Sequence, residues 1–157
     1  MKVAEPVRAT RHYTQRLNAP PAVVFPLLCP VREVDWVNGW SPRLVVTASG
    51  VVERECVFIM PEEPNDSIWV VTVWKPDDFR VEFAKVTPQL AVGLIEIQLR
   101  PAGDDRTDAD VTYSYTALSP AGEKYVESFT EEHYTRFMRE WEGELNYYLE
   151  HGSMKPG

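Results

Sequence analysis

SPAGEKYVESFTEEHYTRFMREWEGELNYYLE, from Ser119 to Glu150, is the longest stretch of this chain with helical periodicity. Tyr125, Val126, Phe129, His133 and Phe137 recur at spacings of three and four. Tyr134, Met138, Trp141, Leu145 and Tyr148 repeat the pattern on a rotated face. Apolar residues so spaced share one side of a helix, because the backbone turns once every ~3.6 residues. The spacing predicts one continuous helix over 119–150, its stripe drifting so that it curves over a concave partner. Gly143, opposite the second stripe, can ease that curve. Ser119 offers a hydroxyl cap ahead of Pro120, whose missing N–H costs nothing in a first turn. Gly152 ends the helix, with Pro156 beyond.

Upstream of this helix the period falls to two. Six strands are predicted, over 43–48, 51–60, 68–74, 79–86, 89–100 and 109–118, each closed by Pro, Gly, Asn or Asp. An alternating segment, 11–17, forms a strand before them. Between that strand and the six lie two short helices, 22–28 and 31–36, broken by Pro26, Pro30 and Asn38-Gly39. Short connections between consecutive strands make an antiparallel meander, and one sheet under a helix is an α+β layer architecture.

The chain has 157 residues and 44% hydrophobic residues, enough for one domain with a real core. Its net charge of -8 argues against nucleic acid or an anionic membrane surface as partner. No apolar run reaches the ~20 residues of a membrane span, and residues 1–12 lack the apolar core of a signal peptide. The expected compartment is therefore the cytoplasm. Cys29 and Cys56 sit among apolar neighbours and read as free, buried thiols. The three histidines form no metal spacing, and no metal or cofactor is expected.

The element order is similar to the helix-grip fold of the START-like superfamily, also called SRPBCC or Bet v 1-like. The segments 19–25, 27–33 and 35–40 resemble the opening of a bacterial branch of that group. Glu53, Cys56-Val57-Phe58 and Ile68-Trp69-Val70-Val71 resemble its next strands. The resemblance covers nearly the whole chain and implies a single domain over 1–157, with its core at about residues 10–151. It implies the order β-α-α-β6-α: a bent, seven-stranded antiparallel sheet wrapped round the long C-terminal helix, with a cavity between them. The short helices form the cavity mouth. The superfamily hosts lipid carriers, hormone receptors, polyketide cyclases and chaperone co-factors, so the fold alone names no reaction.

Alternation places Trp69, Val71 and Val73 on one side of their strand. It groups Phe79 with Val81 and Phe83, Ile95 with Ile97 and Leu99, and Val111 with Tyr113 and Tyr115; Phe58 and Cys56 join them. These sets are taken as inward, facing Phe129, His133 and Phe137. Large rings leave gaps when packed together, and ligand pockets are mostly apolar with a few polar groups. Tyr113, Tyr115 and His133 can orient the polar end of an apolar ligand; the alternative is a collapsed core whose tyrosines bond to backbone or water.

Trp36 and Trp40, beside Asp35 and Asn38, either gate the mouth or plug the end of the sheet. Glu33 and Glu53 are expected to pair with Arg32, Arg43 or Arg54. His133 is the sole catalytic candidate, as a proton handler in a cyclase or hydratase, and can equally be a helix-face histidine. Glu131, Glu132, Glu140 and Glu144, alternating with Arg136 and Arg139, form a solvated face. Three functions remain open: a carrier or sensor of a small hydrophobic or amphipathic molecule, such a cyclase, or an interaction protein using the outer sheet face. A homodimer is compatible with each.

Overall fold

A computed structural model describes residues 1–157. Seven antiparallel strands form one sheet in the order β1-β7-β6-β5-β4-β3-β2. They are β1 (Arg8–Leu17), β2 (Leu44–Val46), β3 (Val57–Met60), β4 (Ser67–Lys75), β5 (Arg80–Thr87), β6 (Ala91–Pro101) and β7 (Thr107–Ala117). β2 to β7 pair in sequence, as short connections require, and β1 closes the far edge against β7. Helix α1 (Pro21–Val24) runs into a 3₁₀ turn at Phe25–Leu27, and a second 3₁₀ turn spans Glu33–Asp35. Pro26, expected to shorten the first helix, stands in that tighter turn. The second predicted helix is reduced to a single turn.

The C-terminal segment departs from the predicted single helix. It is two helices, α2 (Pro120–Ser128) and α3 (Glu131–His151). Phe129 leaves the helical region at ψ 63 and is buried. Thr130 restarts the helix: its hydroxyl accepts from the His133 amide at 3.1 Å. Phe129 fits the apolar stripe either way, so periodicity alone hides the break. The outer ends fall as expected. The Ser119 hydroxyl accepts from the Gly122 amide at 3.1 Å, and Gly152 closes α3 in the left-handed region at φ 69.

Tyr134, Met138 and Leu145 of α3 are buried against the sheet. The Tyr134 hydroxyl donates to the Val111 carbonyl at 2.6 Å, tying α3 to β7. α3 also covers the exposed edge of β1. Glu142 accepts from the Arg16 amide at 2.6 Å, and Asn146 both accepts from the Asn18 amide and donates to the Arg16 carbonyl. At Arg16 to Asn18 the edge is thereby closed to pairing with another chain.

Two local departures redirect side chains. In β4 the register shifts between Val71 and Val73. This bulge moves Trp74, not the expected Val73, onto the core, where its ring stacks on Phe25 at 4.5 Å. At α2, Gly122 is packed against the backbone of Leu90 and lies 3.4 Å, measured from an added Cβ, from the Ala117 Cα. Only glycine permits that approach, and it seats α2 on the β5–β6 turn.

Candidate functional site

Two inner rows of side chains cross the sheet. One runs Phe58, Trp69, Lys85, Gly93, Tyr115 from β3 to β7; the next holds Val71, Phe83, Ile95 and Tyr113. Phe58 and Trp69 stack at 5.3 Å, and Phe83 meets both edge-on. On the helical side, Phe129 packs edge-on to Tyr115 at 4.8 Å, and Phe137 to Tyr113 at 5.8 Å.

Between sheet and helices these rings leave a hollow of two chambers. The outer one measures about 310 Å³ and the inner one about 120 Å³. Trp40, Trp69, Tyr113 and Phe137 line both, so the chambers adjoin. Ligand pockets commonly measure roughly 300–1,000 Å³, and the outer chamber is of that size. A larger groove on the outside of α3 is open and lined only by polar residues, including Glu131, Arg136 and Glu140. It is the expected solvated face.

Most candidate residues are found at the hollow. Tyr115, Phe129 and His133 line the outer chamber, and Phe58 and Phe83 line the inner one. Two do not reach it. Trp36 is fully buried, donates its indole N–H to the Leu27 carbonyl at 3.1 Å and stacks on Trp141 at 5.7 Å. It is a plug beneath the 30–40 loop and not a gate. Val71 is also fully buried and lines neither chamber. Trp40, by contrast, donates to the Pro30 carbonyl at 2.8 Å while its ring faces both chambers.

His133 stands at the rim, exposed, with its ring edge toward Phe129. Tyr113 and Tyr115 are ring neighbours, and Tyr115 lies edge-on to Tyr125 at 5.3 Å. Burial raises all three phenols, Tyr113 well above its ordinary value and Tyr115 to about 12, so each stays protonated as a donor.

Three polar groups at the hollow were not anticipated. Lys85 is buried on the inner face, and its ammonium lies 5.2 Å from the Trp69 ring centroid and 5.6 Å from that of Tyr115. Glu62, from the β3–β4 loop, pairs with it at 2.8 Å. Period two places Lys85 inward, two residues beyond Phe83. Gly93 makes room for this arrangement, since an added Cβ would lie 2.6 Å from the Tyr115 ring.

Glu33 is the third. The expected pairs form elsewhere: Arg32 with Asp35, Arg43 with Asp66 and Arg54 with Glu55. Glu53 instead accepts from the Ala48 amide and from Thr47. No hydrogen bond or ion pair within the protein engages the Glu33 side chain, which is partly exposed and lines the inner chamber.

One test of the charge pair follows. Glu62→Gln leaves the Lys85 ammonium among aromatic rings with no carboxylate. A loss of about 1–2 kcal/mol in urea unfolding is expected, below the cost of breaking a fully buried pair because Glu62 is about a third exposed. An unchanged midpoint would show that the pair contributes nothing.

No protein-family model matches this chain, and no curated relative matches it. Solved structures do. A Thalictrum flavum norcoclaurine synthase point mutant, in complex with a transition-state analogue, superposes with a TM-score of 0.70 at 14% identity, covering 96% of this chain and 100% of that one. A Streptomyces aromatase/cyclase gives 0.65 at 13%, covering 90% and 96%. Ara h 8.0201 gives 0.59 at 12%, covering 88% and 97%.

The fold is the helix-grip fold that these structures share. Identities this low establish the fold alone. In this helix-grip protein α3 is tied to the sheet at the end of β1 through Glu142 and Asn146 and at β7 through Tyr134, and the hollow lies between α3 and the aromatic inner face. No group of three or more His, Cys, Asp and Glu is arranged to hold a metal ion. No helix is long and apolar enough to cross a membrane.

Proposed function

We propose that this protein binds one small, largely aromatic or amphipathic molecule in the hollow between sheet and α3. The observation that carries this reading is the pairing of an apolar interior with sparse polar groups. Rings from six helices and strands wall the chambers, the Lys85–Glu62 pair stands at the outer one, and Glu33 stands at the inner one. Such a wall favours flat apolar ligands by area, and isolated polar groups fix their orientation. The charge pair adds no net charge, which suits a neutral or weakly polar ligand.

The test is native mass spectrometry of protein isolated from its own host, followed by extraction into organic solvent. A co-purifying apolar molecule is expected, absent from Ser128→Trp, which fills the outer chamber from an exposed lining position. Identical extracts from both proteins would contradict the reading.

A cyclase- or hydratase-type enzyme is the second reading. One observation favours it: protonated phenols and the rim imidazole of His133 surround the same outer chamber, so groups able to exchange protons flank whatever sits there. His133→Ala should then retain the ligand and lose its conversion. Conversion at an unchanged rate would remove His133 from any such chemistry.

A further inference from the structure

The inner chamber contains a carboxyl group with nothing to bond. In the 3₁₀ turn at Glu33–Asp35 each residue advances about 120°, so Arg32 and Asp35 share a face and Glu33 takes another. Arg32 and Asp35 pair at 3.1 Å on their face. Glu33 turns into a chamber walled by Phe58, Trp69, Phe83, Ile97 and Trp141. The residue is only partly exposed, and its unbonded carboxyl keeps some accessible surface where it borders the chamber.

The groups facing Glu33 are few. Arg32 and Asp35 on its own turn neutralise each other, and Tyr113 from β7 adds a phenol. β5 and β6 present Phe83, Ile95 and Ile97, and α3 presents Phe137 and Trp141, none of them charged. Glu144 of α3 is bonded to Asn38. Burial, with no compensating partner, pushes the Glu33 carboxyl up to about 8. Near neutrality it is a carboxylic acid: one O–H donor in an apolar chamber, beside a phenol that is also a donor.

Building on the cavity-binding reading, we propose that Glu33 determines specificity by donating a hydrogen bond to the carbonyl oxygen of a flat aromatic ligand. Two donors without fixed charge complement an uncharged acceptor. A ligand ammonium fits worse: it must shed its water, and while Glu33 keeps its proton no carboxylate stands in the chamber to meet it. The chamber also has suitable dimensions. A cavity of about 150 Å³ holds benzene, so this one, at about 120 Å³, takes the carbonyl-bearing end of a ring system whose remainder lies in the outer chamber.

Three naphthalene probes test the proposal: 2-acetylnaphthalene, 2-ethylnaphthalene and 2-naphthylmethylamine. Each is titrated against the wild type, Glu33→Gln and Glu33→Leu, with tryptophan fluorescence as readout, from about pH 5 to about pH 10. In the wild type the ketone is expected to bind about tenfold more tightly than the hydrocarbon at low pH, the effect of one well-made hydrogen bond. That preference vanishes as pH rises through about 8, where Glu33 loses its proton. Glu33→Gln, whose amide still donates, keeps the preference at every pH. Glu33→Leu loses the part of the preference that Glu33 supplies and still binds the hydrocarbon.

Equal binding of ketone and hydrocarbon by the wild type at low pH would overturn the proposal alone, as would a full ketone preference in Glu33→Leu or tightest binding of the amine at neutral pH. Failure of all three probes to bind would overturn the cavity-binding reading and this proposal with it. Infrared spectroscopy supplies a check that needs no ligand. A protonated-carboxyl band at neutral pH, lost at high pH and absent from Glu33→Gln, is expected; its absence from the wild type would overturn the proposal.

Discussion

Glutamine at position 33 stabilises this protein at alkaline pH and does little in acid. The Glu33 carboxyl is raised from an ordinary 4.5 to about 8 in the folded chain. The folded state therefore holds this proton more tightly than the unfolded state does. That stabilisation is fully present below about pH 4.5 and is lost as pH rises through about 8. Each unit between those limits is worth at most about 1.4 kcal/mol, and water inside the chamber reduces the figure. A total of a few kcal/mol is expected. Glutamine resembles the protonated acid in shape and cannot ionise, so the loss disappears. Urea midpoints at about pH 4 and about pH 9 provide the check: the variant should match the wild type in acid and exceed it in alkali. Parallel pH profiles would place the Glu33 carboxyl in water.

Gly122→Ala is expected to cost at least about 3 kcal/mol. Its new Cβ would overlap the Leu90 carbonyl oxygen and lie within 2.9 Å of the Leu90 carbonyl carbon. Both obstacles are backbone atoms, held by the Leu118 amide donating to Leu90 and the Ser119 hydroxyl donating to Gln89. No rotamer change relieves the clash, so α2 must lift from the sheet. Tyr125 and Ser128 then leave the outer chamber. Thermal unfolding should show a large fall in Tm, and probe binding should weaken in parallel. A loss under about 1 kcal/mol would mean that α2 is loosely seated and not a fixed wall.

Strand parity made most of the sheet legible before the structure was known. Val81 with Phe83, Ile95 with Ile97 and Leu99, and Val111 with Tyr115 alternate cleanly, and all are buried. The terminal caps at Ser119 and Gly152 follow from residue chemistry alone. What escaped the sequence has specific causes. The break at Phe129 keeps the stripe in phase, so only the Thr130 cap betrays it. The β4 bulge changes the period locally, and nothing in Val73-Trp74 announces the change.

The site was legible in its rings and obscure in its charges. Aromatic residues advertise the hollow through alternation. Lys85, Glu62 and Glu33 were hidden because a charged side chain is ordinarily assigned to the surface. Their burial depends on partners, or on the lack of them, that only the fold determines. Trp36 and Trp40 show the same limit: four residues apart, one plugs the core and the other faces the hollow.

The outer face of the sheet carries its own apolar band, including Leu44, Ile68, Val86 and Leu94, all exposed. A greasy probe can therefore bind outside the hollow, and a bare affinity does not separate the two places. Nuclear magnetic resonance of the five tryptophan indole N–H groups during titration with 2-acetylnaphthalene does. Occupation of the hollow predicts large shifts at Trp40 and Trp69, which line both chambers, and none at Trp74, which stacks on Phe25. Shifts confined to backbone amides around Ile68, Val86 and Leu94, with Trp40 unmoved, would contradict it.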